Sequence, residues 1–123
     1  MPRTPAETVS VHMGAINRRD HDAIAATSSF PLIQMWPDGS KTIMATPNDM
    51  IPTGEGLAPE WSRTDIDHLD LIDTTGNLVV YRLTFTRFDT DGKPTLGTHQ
   101  GLWAVCREGE VWKVAWRQYL GPV

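Results

Sequence analysis

VVYRLTFTRFDTDGKPTLGTHQGLWAVCREGEVWKVAWRQY, residues 79–119, reads as three strands joined by tight turns. β-Branched and aromatic residues dominate it, as a half-buried pleated surface favours. Asp89-Thr90-Asp91-Gly92 separates a strand over 79–88 from one over 95–107. Glu108-Gly109-Glu110 separates the second from a strand over 111–119. Turn-forming residues in such short runs make neighbouring strands antiparallel. A further strand is predicted upstream over 65–74, ended by Thr75-Gly76-Asn77. The second half of the chain is therefore a meander, and it carries three of the five tryptophans.

The first half reads differently. Thr4-Pro5-Ala6-Glu7 combines a capping threonine, a proline suited to the first helical position and a glutamate that closes a capping box. Ala6, Val9, Met13 and Ile16 then recur at helical spacing, and Asn17-Arg18-Arg19 ends the helix. Asp20 caps a second short helix containing Ala23, Ile24 and Ala26, which stops by Phe30-Pro31. Residues 32–36 and 41–44 flank Pro37-Asp38-Gly39-Ser40, a hairpin signal. Thr46-Pro47-Asn48-Asp49 starts a third helix that Pro52, Gly54, Gly56 and Pro59 break, leaving an irregular flap over 52–63 anchored by Trp61. Helices followed by a run of strands indicate an α+β fold.

Composition bounds the function. A chain of 123 residues has room for one domain, taken here as 1–123. No apolar run is long enough to span a membrane. Met1-Pro2-Arg3-Thr4-Pro5 lacks the apolar stretch of a signal peptide. The single cysteine, Cys106, excludes an internal disulfide, suits a reducing, cytoplasmic setting, and reads as a small buried hydrophobe. Net charge is −4 and no basic cluster exceeds Arg18-Arg19, which argues against nucleic-acid binding.

Ala15-Ile16-Asn17-x-x-Asp20-x-Asp22-x-Ile24, Phe85-Thr86-Arg87-Phe88-Asp89-x-Asp91-Gly92, Gly101-Leu102-Trp103 and Gly109-x-Val111-Trp112-Lys113-Val114, taken with the element order, resemble the nuclear transport factor 2-like superfamily. That superfamily includes ketosteroid isomerase and polyketide-cyclase-like proteins. The resemblance implies a cystatin-like cone: N-terminal helices in the concave face of a curved, mostly antiparallel sheet, an interior cavity, and homodimers packed through the outer sheet face. It fixes no activity, because the family holds isomerases, cyclases, epoxide hydrolases and non-catalytic binding domains.

Matched to the isomerase pattern, the phenol position falls on His12 and the basic carboxylate on Trp36. The protonated-acid position falls near Gly101, with His99 and Gln100 the closest polar side chains. The missing base argues against that mechanism. Epoxide hydrolysis fares no better, since the carboxylates cluster at turns and helix starts, and at best one of Asp65, Asp67, Asp70 and Asp73 faces inward.

His12 and His99 are the acid/base candidates, each weighed against a satisfied core histidine. No histidine spacing suits a metal, and no cofactor is implied. Trp36, Met35, Met44, Trp61, Trp103 and Trp116 are expected to wall a pocket for a flat apolar molecule, or else simply to fill the core. Tyr81, Phe85 and Arg87 share one strand face, where Arg87 is either a surface charge or an anchor for a ligand's carboxylate. Arg117 and Tyr119 alternate away from Trp116 and are expected to face a dimer partner. The expected function is small-molecule binding, with cofactor-independent isomerase, cyclase or dehydratase chemistry on an apolar substrate, or a non-catalytic binding or dimerisation module.

Overall fold

Helix α1 (Pro5–Arg18) starts where the capping residues place it. In this computed structural model, which describes residues 3–49 and 61–123, the Thr4 hydroxyl accepts from the Glu7 amide and the Glu7 carboxylate accepts from the Thr4 amide. Such a cap contributes about 1 kcal/mol. Arg19 ends the helix in the left-handed region with φ 54. Helix α2 (His21–Ala26) follows under its Asp20 cap. Among the described residues no helix is long and apolar enough to cross a membrane.

The sheet has six strands: β1 (Ser28–Met35), β2 (Lys41–Met44), β3 (Trp61–Thr75), β4 (Leu78–Asp89), β5 (Pro94–Glu108) and β6 (Val111–Pro122). Their spatial order is β2-β1-β6-β5-β4-β3, with β1 parallel to β6 and every other pair antiparallel. The curved sheet wraps α1, giving the α+β architecture that the element order implies.

Three boundaries differ from expectation. β1 begins at Ser28 because Ser28 pairs with Val114 and the Thr27 carbonyl accepts from the Val114 amide. Trp61 opens β3 instead of anchoring a loop: it pairs with Asp89, and its indole N–H donates to the Thr64 hydroxyl at 3.0 Å. The third helix is a single 3-10 turn, Pro47–Asp49. There the Asp49 carboxylate folds back to accept from the Ala45 and Thr46 amides. The rest of the expected flap, 52–60, lies outside the described residues.

The Ala15-Ile16-Asn17 segment acts as a clamp. Asn17 donates to the Thr64 carbonyl and accepts from the Thr64 amide, both at 2.8 Å. Arg19 stacks over Trp61 at 4.3 Å and donates to the carbonyls of Trp61 and Ser62. These contacts fix the C-terminal end of α1 on β3. The helix face of Val9 and Met13 then packs with Leu32, Leu83, Val105 and Val114 in the core.

Two irregularities in β6 decide which side chains reach the concave face. Trp116 pairs with Ala104, but the next step on β5, Val105, pairs with Val114, so Ala115 is an extra residue. A second shift lies between Gly121 and Tyr119. An inserted residue inverts the side-chain alternation beyond it. Val114 and Arg117 therefore occupy the same face, although they are three positions apart.

Candidate functional site

α1 lays His12 against the centre of the concave face. The ring is fully buried and meets the Trp103 indole edge-on, centroids 5.4 Å apart. Its Nδ1 lies 2.7 Å from the Thr27 hydroxyl, and its Nε2 lies 3.3 Å from Arg117 Nη1. Arginine can only donate, so Nε2 is the unprotonated acceptor and Nδ1–H donates to Thr27. Burial, reinforced by the Arg117 charge, holds the His12 pKa well below the ordinary histidine value. His12 is neutral, with both nitrogens engaged.

His99 is held in a comparable way. Its Nε2 faces the Thr95 carbonyl at 3.2 Å, which can only accept, so Nε2 carries the proton. Nδ1 therefore accepts from the Tyr119 hydroxyl at 2.7 Å. The ring stacks on Phe85 with centroids 5.7 Å apart. Burial lowers its pKa; the Thr95 carbonyl opposes this and the Arg87 charge adds to it.

The two halves join along β6, where Arg117 and Tyr119 project from the same face. Arg117 lies 5.8 Å from the Trp103 ring centroid. Arg87 lies 4.8 Å from the Tyr119 centroid and 5.4 Å from that of Phe85. Trp36 closes this end against Tyr119, its indole N–H donating to the Thr42 hydroxyl. Burial pulls the Arg117 pKa down to about 10 and lowers that of Arg87. The Nε atoms of both arginines are buried without a hydrogen-bond partner.

The concave face thus gathers His12, His99, Trp36, Phe85, Arg87 and Trp103, with Tyr81 buried across from Trp103 on β4. Four other expected residues lie elsewhere. Met35 pairs with Lys41 and Gln118, and Trp116 with Ala104, on the convex face. Gln100 also points outward and accepts from Arg82 at 3.1 Å. Met35 alternates with Trp36, and Gln100 with His99, so one strand cannot turn both of either pair inward. Trp61 belongs to the Arg19 clamp. Arg117 and Tyr119, expected at a partner interface, face inward because of the Ala115 bulge.

No described carboxylate enters this face. All are exposed except Asp89, which is half-buried and accepts from the Asp91 and Lys93 amides in its turn. Among the described residues no three His, Cys, Asp or Glu side chains converge as a metal site would need. The site is an aromatic wall with two cations and two neutral histidines.

That electrostatic state has a measurable consequence. A histidine with a depressed folded pKa takes its proton in the unfolded chain first, so stability declines as pH falls below the unfolded value of about 6.5. The expected slope is about 1.4 kcal/mol per pH unit for each histidine that stays neutral in the fold. Urea unfolding between pH 8 and pH 5 checks it; a flat profile contradicts the neutral assignment.

Neither a protein-family model nor a curated protein sequence matches the chain. Solved structures do. A nuclear transport factor 2-like protein from Cytophaga hutchinsonii superposes with TM-score 0.72 at 13% identity, covering 94% of this chain and 93% of that one. The protein has the nuclear transport factor 2-like fold. A ketosteroid isomerase-like protein from Erwinia carotovora atroseptica gives TM-score 0.64 at 16% identity, over 96% of this chain and 95% of that one. A Nostoc punctiforme protein of unknown function with a cystatin-like fold gives 0.72 at 12% identity, over 97% and 93%. At these identities the nuclear transport factor 2-like likeness concerns architecture and carries no activity with it.

Proposed function

We propose that this protein binds a small organic molecule between α1 and the concave face of the sheet, and that binding, not acid–base turnover by His12, is the role of the site. The observation that carries this reading is the engagement of His12. Its one free lone pair already accepts from Arg117, so it has no open position from which to take a substrate proton. The rings of Trp36, Phe85, Trp103 and Tyr119 offer flat apolar surface, and the arginines and the Tyr119 hydroxyl offer convergent polar groups, the usual make-up of a ligand site. Saturable one-to-one binding of a bicyclic aromatic probe, charged or neutral, is expected to quench tryptophan emission. Replacement of Trp103 by leucine should remove most of that response. Absence of saturable binding by every such probe sinks the reading.

A second reading, a cofactor-independent isomerase, cyclase or dehydratase acting on an apolar substrate, rests on the Tyr119–His99 contact of 2.7 Å. When a substrate carbonyl oxygen takes over the Tyr119 hydroxyl hydrogen bond, the freed His99 Nδ1 lone pair can accept the proton from the carbon beside that carbonyl, leaving an enolate held by the phenol. Enzyme-dependent incorporation of solvent deuterium into a bound carbonyl compound, lost in His99→Asn, separates it from simple binding. The half-buried outer face, with Ile33, Leu102 and Trp116, suits a second copy of the chain in either case.

A further inference from the structure

Among the described residues Arg117 and Arg87 have no anionic partner. The ion pairs formed among the described residues are Arg63–Asp65 and Lys113–Glu108, and neither inward-facing arginine takes part in them. Arg117 has a neutral partner, His12, and the face of Trp103. Among the described residues Arg87 has the rings of Phe85 and Tyr119 beside it, with the Tyr119 hydroxyl as a neutral acceptor. Aromatic faces attract a guanidinium but do not accept its in-plane N–H bonds, and the Nε–H of each remains unmet in a buried position. A half-buried charge with a buried, unmet N–H and no counter-ion is unfavourable, and a negative group arriving from outside would relieve it.

The geometry of the Arg117 contact narrows what that group is. His12 takes Nη1 and leaves the Nε–H of the guanidinium without a partner among the described residues. The Nε edge presents two parallel N–H groups, the fork that a carboxylate matches with both oxygens. His12 is itself fixed from behind by Thr27, whose hydroxyl donates to the carbonyls at the end of α2. The arrangement orients the guanidinium plane before any ligand binds.

We propose that Arg117 is the anchor for the carboxylate of the ligand, that His12 is its positioning residue, and that the ligand is an organic monocarboxylate with a flat apolar body lying toward Trp36 and Phe85. This rests on the small-molecule-binding reading above. Arg87, beside Tyr119, adds a second positive charge at the same face and strengthens the preference for an anion. A phosphate ester is the competing anion; the planar fork of Arg117 matches the two coplanar oxygens of a carboxylate, and the comparison below separates the two.

The test compares three probes of one shape on the full chain by calorimetry: 2-naphthoate, 2-naphthylmethanol and 2-naphthyl phosphate. Naphthoate is expected to bind at least tenfold more tightly than the alcohol and more tightly than the phosphate. Arg117→Met should remove at least tenfold of the naphthoate affinity while changing that of the alcohol less than threefold. Arg117→Lys, which keeps the charge and loses the fork, should recover only part of the loss. Should the methionine variant fail to fold, the lysine variant and Arg87→Met carry the comparison, each reducing the preference of naphthoate over the alcohol. Equal affinity for acid and alcohol overturns the proposal and leaves the binding reading standing. Preference for the phosphate overturns the carboxylate assignment. Binding of none of the three overturns the reading beneath it.

Discussion

His12→Ala is expected to destabilise the protein by about 3–5 kcal/mol, a loss of core packing and not of chemistry. The ring is fully buried and touches Trp103, so its removal leaves a hole beside an indole that cannot collapse into it. Arg117 Nη1 loses its acceptor in a buried position, which alone costs about 1–3 kcal/mol. His12→Gln separates the two contributions, because an amide oxygen can accept from Arg117 while the packing defect remains. Urea denaturation with an unchanged m-value measures both variants. A loss under 1 kcal/mol in the alanine variant would show that His12 is not the support described here. The expectation also bears on the role of His12: a catalytic histidine would lose turnover with the fold intact, whereas this one takes stability with it.

Much of the frame was legible because its signals are local. The Thr4 cap with Glu7, the Asp20 cap and the Asp38-Gly39 turn each depend on residues within four positions, and each stands as the sequence implies. The strands were legible in number and order of appearance for the same reason. The Ala15-Ile16-Asn17 segment signalled the fold family, yet its physical purpose, the exchange of two hydrogen bonds between Asn17 and Thr64, joins residues 47 positions apart and shows only in three dimensions.

The site is legible in part, and its departures from the sequence reading have two causes. Strict alternation put Arg117 and Tyr119 on the outer face and Trp116 within. The bulge at Ala115 inverts that assignment, and alanine carries no turn or glycine signal to mark it. What the sequence did contain was an arginine and a tyrosine two residues apart in a Trp-rich strand, on one face by their spacing. Met35 and Gln100 were misplaced for a simpler reason, since each was grouped with an immediate strand neighbour that must point the opposite way. His12 and His99 were found, but their ring partners lie 105 and 20 residues away, so their protonation could not be judged from the chain alone.

Gly101→Ala should cost about 2–3 kcal/mol, while Gly14→Ala should stabilise the protein by about 0.5–1 kcal/mol. The chemical change is the same; the surroundings reverse its sign. A Cβ on Gly101 would sit 2.7 Å from the Gln118 carbonyl oxygen and 3.7 Å from the Phe85 ring. That oxygen belongs to the backbone of β6 between the two irregularities, so it moves only if β6 shifts away from β5. The shift would carry Tyr119, which pairs with Gly101, away from His99, so naphthoate affinity should fall along with stability. At Gly14 the nearest atom is Arg18 Nη1 at 3.3 Å, the far end of an exposed, flexible side chain that swings aside. There the added methyl group removes backbone freedom from the unfolded chain and favours the helix. Thermal unfolding of the two variants side by side should therefore displace the midpoint in opposite directions. A neutral Gly101→Ala would mean that β5 and β6 do not approach as closely as the placement of Arg117 and Tyr119 requires.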